Sequence, residues 1–166
     1  AATSYSNLGL HRALAKHGGH VLTVNAGDRY VLEAMLRERL NLGGEQSGHI
    51  IFADHSTTGD GLVTALRLLT VMQRSGQPLS VLADQMESVP QYLVNVSVRS
   101  KEWRDNEAIR QAVAEAEEQL AGQGRLLVRA SGTEPVIRVM AEGFDPDRVG
   151  RLVNAVADTI QRELGQ

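Results

Sequence analysis

The 166-residue chain carries 17 Lys and Arg against 20 Asp and Glu, a formal charge of −3, with 42% hydrophobic residues and no cysteine. That apolar share supports a globular core without covalent staples, while the lack of net positive charge removes long-range attraction to nucleic acid or an anionic membrane. The missing cysteine excludes disulfide, thiolate and cysteine–zinc chemistry. No uninterrupted apolar run approaches the roughly 20 residues of a membrane span, and the first residues lack a basic-then-apolar leader pattern. The expectation is a soluble, cytoplasmic protein with neither nucleic acid nor membrane as partner.

In chain order, Ser6-Asn7 supply capping side chains for a helix bearing Leu8, Leu10, Ala13 and Leu14 that stops at Gly18-Gly19. Residues 21–24 read as a strand, Asp28 as the cap of a helix with Val31, Leu32, Met35 and Leu36, and residues 50–52 as the next strand. This alternation predicts a parallel sheet with crossover helices. A strand before Ser6 is expected to be missing or barely represented, so the chain reads as a fragment. Asp60-Gly61 opens a helix with Leu62, Ala65, Leu66, Leu69 and Met72 on one face, ended by Gly76 and Pro78, and Ser80 caps a short helix reaching Met86. The Leu and Val stripes are expected to be core.

Beyond Pro90 the pattern changes, and a domain boundary is placed at residues 87–90. Val94, Val96 and Val98 alternate with Asn95, Ser97 and Arg99, as in a half-buried antiparallel strand. An Asn106-capped helix carries Ile109, Val113, Ala116 and Leu120; two strands, Leu126/Val128 and Ile137/Val139/Ala141, flank a polar turn; and a helix opening at Asp145-Pro146 carries Val149, Val153, Val156 and Ile160.

That polar turn lies within Arg129-Ala130-Ser131-Gly132-Thr133-Glu134-Pro135-Val136-Ile137-Arg138. Ser131 and Thr133 offer hydroxyls, successive backbone N–H groups of such a turn can form an anion-binding concavity, and Gly132 lets the chain curl without a Cβ penalty. Arg129 and Arg138 can grip oxygens bidentately, which gives the residue set of a phosphate clamp. An ordinary hairpin with two surface arginines is the alternative.

A second polar glycine cluster, Gly43-Gly44-Glu45-Gln46-Ser47-Gly48-His49, runs into the strand at residues 50–52. It lacks the lysine and spacing of a nucleotide P-loop. Glu45 can accept hydroxyl protons, Ser47 can donate or accept, and flanking glycines allow the backbone to approach a sugar ring. His49 is a candidate acid or base near neutral pH, or simply a strand-start histidine held by a carbonyl. The two clusters suggest two parts of one ligand. His17 and His20, and Asp54-His55, lack zinc-site spacing and a third ligand, so no metal site is expected. Arg29 beside Asp28 can face an anion at a helix N-terminus. No nucleophile-elbow motif or cysteine is present for covalent catalysis.

Taken together, Ser6-Asn7-Leu8-Gly9-Leu10, Gly27-Asp28-Arg29-Tyr30-Val31, residues 43–49, Thr58-Gly59-Asp60-Gly61 and residues 129–138 resemble, in this order, the phosphoglucosamine mutase family within the α-D-phosphohexomutase superfamily. Gln46 carries the discrimination, since relatives acting on mannose or glucose phosphates often have methionine there. Tyr5 departs from the usual residue before the Ser-Asn pair.

The resemblance implies an α/β plus α+β architecture. Residues 1–88 would be most of a three-layer α/β domain III, and residues 89–166 a domain IV with an antiparallel sheet packed by helices, related to the TATA-binding-protein fold without its DNA binding. It also implies interconversion of glucosamine 6-phosphate and glucosamine 1-phosphate through a phosphoserine enzyme and a bisphosphate intermediate. The serine loop and Mg2+ loop would lie in domains outside this chain, which alone is expected to be inactive. Glu45 and Ser47 would bind sugar hydroxyls, His49 would shuttle a proton, and Arg129, Ser131, Gly132, Thr133 and Arg138 would hold the non-reacting phosphate. A phosphomannomutase or phosphoglucomutase fragment, or a non-catalytic phosphosugar-binding module, is the alternative.

Overall fold

The computed structural model describes residues 1–166, which divide into two compact units, Ala1–Ser88 and Val89–Gln166. The first contains β1 (Ala2–Thr3), α1 (Leu8–Ala15), β2 (Thr23–Val24), α2 (Asp28–Glu38), β3 (Leu42–Gly44), β4 (Ile50–Phe52), α3 (Gly61–Ser75) and α4 (Leu79–Ala83). Its sheet runs β2-β1-β3-β4, so the short strand before Ser6 is present and central. β1 is parallel to β2 and β3, but β3 and β4 are antiparallel, which corrects the expectation of an all-parallel sheet. The reason is local: residues 45–49 connect them, and a parallel crossover needs a dozen or more residues.

One sheet face is covered by α2, where Val31 and Met35 pack with Ile51 in a small core. Gly43 makes this possible. A Cβ there would lie 2.6 Å from Val31 Cγ1 and also collide with Met35, so the helix seats directly on the β3 backbone. Residues of the opposite face, Ala2, Leu42 and Ile50, line an apolar cleft of about 470 Å³ with Leu10, Leu14 and Met86. α3 departs from expectation. Its stripe is not core, since Leu62 and Leu66 are 80% and 64% exposed and no α3 residue is buried. Helical periodicity marks an apolar face but does not supply its partner.

Helix starts follow local cap chemistry with two exceptions. Asn7 accepts from Gly9 N, and Asp60 accepts from Leu62 N and Val63 N. Asp28 is instead the first residue of α2; Gly27, at φ 124°, takes the cap position, and Asp28 Oδ1 accepts from Arg29 N at 2.7 Å. Likewise Ser80 lies inside α4, whose cap position is Pro78.

The second unit contains β5 (Gln91–Ser97), a 3-10 turn (Trp103–Asp105), α5 (Glu107–Leu120), β6 (Gly124–Ala130), β7 (Val136–Gly143) and α6 (Pro146–Leu164). The antiparallel sheet runs β5-β7-β6. Val96, Leu126, Val128, Ile137, Val139 and Ala141 project from one face onto Ile109, Val113, Val149, Val153, Val156 and Ile160 of α5 and α6. Alternation therefore sends Arg129 and Arg138 to the other face. There the register stacks Asn95, Arg138 and Arg129 in one row, Leu93, Met140 and Leu127 in the next, and Gln91, Glu142 and Arg125 in a third. Glu142 is fully buried, and its carboxylate accepts from Arg125 Nε at 2.5 Å and Gln91 Nε2 at 3.0 Å, as an interior charge requires. No helix of the chain is long and apolar enough to cross a membrane.

Candidate functional site

In the second unit the β6–β7 ladder sets Arg129 directly opposite Arg138. Like charges placed so are unfavourable by themselves, and an anion between or above them reverses the sign. Residues 131–135 form the connecting loop. Ser131 is buried, its Oγ accepts from Glu134 N at 3.2 Å, and its backbone N–H donates to Val136 O at 2.9 Å, so the turn is tied at both ends. Gly132 and Thr133 are exposed at the tip. Gly132 is not in the left-handed region, and a Cβ there would meet nothing within 4 Å. The expected conformational reason for this glycine is therefore wrong; what it contributes is an uncovered backbone.

Two features of this turn escape sequence reading. Lys101 Nζ donates to Ser131 O at 2.6 Å across 30 residues of chain, adding a cation that fixes the loop from the β5 side. Glu134, inside the motif, accepts from Arg138 Nη2 at 2.7 Å. No local pattern announces the first, because the contact depends on the antiparallel sheet being formed. The second was visible as an i, i+4 charge pair, but such a pair is informative on a helix and not across a loop.

In the first unit, Glu45, Gln46, Ser47, Gly48 and His49 form the β3–β4 turn, closed by Glu45 N donating to His49 O at 3.0 Å and by Gly48 at φ 96°. Ser47 Oγ donates to Glu45 Oε1 at 2.8 Å and lies 2.9 Å from His49 Nδ1. With its proton committed to the carboxylate, Ser47 Oγ accepts from His49 Nδ1–H, which leaves Nε2 as the proton-accepting atom of the neutral ring. Glu45 is mostly buried and His49 is about half exposed. Sequence-predicted Glu45, Ser47 and His49 are thus brought together in one hydrogen-bonded group. Gln46 Oε1 accepts from the buried Thr3 hydroxyl at 3.0 Å, which pins the turn to the central strand. The glycines at 43 and 44 have a packing reason in the fold. A Cβ on Gly44 would lie 2.6 Å from Ile50 Cδ1, so both are packing glycines inside β3.

No group of three or more His, Asp or Glu side chains in the chain is arranged to hold a metal ion, so a magnesium site does not fit these residues. His17, His20 and Asp54-His55 form no such group.

Residues 1–89 match the phosphoglucomutase/phosphomannomutase alpha/beta/alpha domain III, and residues 93–159 match the C-terminal domain of the same enzymes. The chain belongs to the phosphohexomutase family. It is 54% identical over 162 residues to the phosphoglucosamine mutase of Heliobacterium modesticaldum, covering 98% of this chain and 35% of that protein. It is 53% identical over 163 residues to that of Symbiobacterium thermophilum, covering 98% and 36%. The chain therefore spans about 36% of the length of the curated relatives it matches. Among solved structures it is similar to the Aspergillus fumigatus N-acetylphosphoglucosamine mutase in complex with GlcNAc-6P and magnesium, with a TM-score of 0.81 and 19% identity over 96% of this chain and 40% of that one. A phosphoglucomutase/phosphomannomutase family protein from Burkholderia thailandensis gives a TM-score of 0.73 and 22% identity over 99% and 38%. At these identities the structures establish the fold of this phosphohexomutase segment.

Proposed function

We propose that this phosphohexomutase segment is the substrate-recognition portion of a cytoplasmic phosphoglucosamine mutase, which interconverts glucosamine 6-phosphate and glucosamine 1-phosphate. The observation that carries the reading is the cross-strand pair Arg129 and Arg138 beside a loop whose tip residues Gly132 and Thr133 are exposed. Relatives about half identical to it and named phosphoglucosamine mutase support the sugar assignment. In this reading Arg129, Ser131, Gly132, Thr133 and Arg138 hold the phosphate that does not react. Glu45 and Ser47 take sugar hydroxyls, His49 Nε2 moves a proton, and Gln46 sets the shape of the turn that selects the amino sugar. The phosphoserine and the residues that hold magnesium belong to other domains of the parent protein, which are its partners in the reaction.

Calorimetric titration of the chain with glucosamine 6-phosphate, glucose 6-phosphate, mannose 6-phosphate and inorganic phosphate tests this. Glucosamine 6-phosphate is expected to bind most tightly, Arg138→Ala to weaken every ligand, and Glu45→Ala to weaken glucosamine 6-phosphate. Equal affinity for the three sugar phosphates would replace the amino-sugar assignment with general phosphohexose recognition. Unchanged binding in both Arg129→Ala and Arg138→Ala would overturn the clamp.

A further inference from the structure

The buried Glu142 is held by Arg125 and Gln91, whereas Glu134 has no such structural role for its side chain in the turn. Its backbone N–H, not its side chain, bonds Ser131 Oγ, so the turn keeps its shape whatever side chain stands at 134. The carboxylate instead reaches Arg138 Nη2 at 2.7 Å. The two side chains are 57% and 36% exposed, so the pair is held in water and is easily exchanged.

We infer that Glu134 is a resident counter-anion of the arginine turn, occupying Arg138 while no phosphate is bound and released from it when phosphate enters. The inference rests on the phosphate reading of this turn and deepens it. Arg129 and Arg138 stand opposite one another in the ladder, where their like charges are unfavourable and a negative partner relieves the repulsion. Glu134 supplies one negative charge through its contact with Arg138 Nη2. A phosphate monoester supplies up to two charges and three acceptor oxygens, enough to engage both arginines bidentately. The exchange sets the apparent affinity, because every phosphate bound must first displace a carboxylate tethered four residues from the arginine it holds.

Glu134→Gln removes the competing charge and keeps the size of the side chain. Titration of the whole chain with inorganic phosphate is expected to show about two- to fivefold tighter binding in Glu134→Gln, the range set by exchange of an exposed ion pair. Glu134→Ala should gain similarly. Melting followed in parallel should show both variants slightly less stable than the parent without phosphate, and the deficit should close as phosphate is added. A loss of turn structure cannot raise affinity, so a gain separates competition from a merely structural role. If Arg138→Ala weakens phosphate binding while Glu134→Gln and Glu134→Ala bind no tighter than the parent, the counter-anion is overturned and the clamp stands. If Arg138→Ala also binds phosphate like the parent, the clamp reading itself fails and takes this inference with it.

Discussion

The hydroxyl of Thr3 in the central strand donates to Gln46 Oε1 at 3.0 Å, so the turn that groups Glu45, Ser47 and His49 is pinned from beneath by a residue more than forty positions earlier. Thr3 is fully buried, and its hydroxyl is part of the folded architecture. Replacing Thr3 with Val keeps the shape and leaves Gln46 Oε1 without this donor. A loss of about 1 kcal/mol in stability is expected, the net worth of one such bond. Urea unfolding with an unchanged m-value checks the loss, and His49 ring resonances in NMR should broaden or shift as the turn loosens. Gln46→Met should produce the same NMR change, because methionine cannot accept well from Thr3.

Arg138→Ala is expected to weaken phosphosugar binding by about 1.5–3 kcal/mol, the range for charge-assisted hydrogen bonds. The stability of the unliganded chain should change little, because Arg138 pairs with the exposed Glu134. Lys101→Met should weaken binding less, since its ammonium bonds the Ser131 carbonyl and acts on phosphate through loop position. Calorimetry on the three proteins ranks these effects. Lys101→Met weakening binding as much as Arg138→Ala would assign Lys101 to the ligand directly.

The second unit was legible in the sequence almost residue by residue, because its helices carry clean stripes behind local caps. Asn106 accepts from Ile109 N and Asp145 from Arg148 N, and every stripe residue of α5 and α6 named from periodicity is buried. The first unit was less legible. β3 is the sequence Leu-Gly-Gly, which no strand propensity finds, since its glycines are set by the closeness of α2 and not by backbone preference. α3 has equal periodicity and stays exposed, because an apolar stripe says only which side is ready to be covered. Of the candidate site, the residue types were readable. Their grouping depends on contacts such as Thr3 to Gln46 and Lys101 to Ser131 that exist only in the fold.

Gly43→Ala tests the tight seat of α2. The added methyl would enter the space held by Val31 and Met35, both fully buried against the strand. Overpacking of this kind costs about 1–3 kcal/mol. The loss should be partly recovered in the double variant Gly43→Ala with Val31→Ala, which makes room for the new methyl. Thermal unfolding of the single and double variants gives the comparison. A double variant as unstable as the sum of its parts would show that the two side chains do not compete for space.

Glu142 is a fully buried charge on β7, satisfied by Arg125 and Gln91 from the two neighbouring strands. Removing one partner leaves the other ion uncompensated, so Arg125→Met is expected to destabilise the second unit by about 3–5 kcal/mol. Replacing both, as Arg125→Met with Glu142→Met, should be much milder, because no unpaired charge remains. Denaturant melts of the single and double variants show whether the cluster acts as a pair.

The two units differ in how their sheets are held, and hydrogen exchange should read this directly. β1 pairs with β2 through two residue pairs and with β3 through one, whereas β6 and β7 share a continuous ladder of seven pairs from Gly124 to Ala130. The ladder also rests on the large core built with α5 and α6, while the first sheet has a small core under α2 and an open apolar cleft on its other face. Local opening is easier where backbone bonds are few and apolar contacts sparse. Amides of residues 1–24 should therefore exchange faster than those of residues 126–142 under native conditions. A hydrophobic dye should bind the first unit through the Leu10, Leu14 and Ile50 cleft, and Leu14→Lys should reduce that signal. Equal protection across both segments, together with no dye binding, would mean that the cleft is closed in solution and that the first sheet is as firmly held as the second.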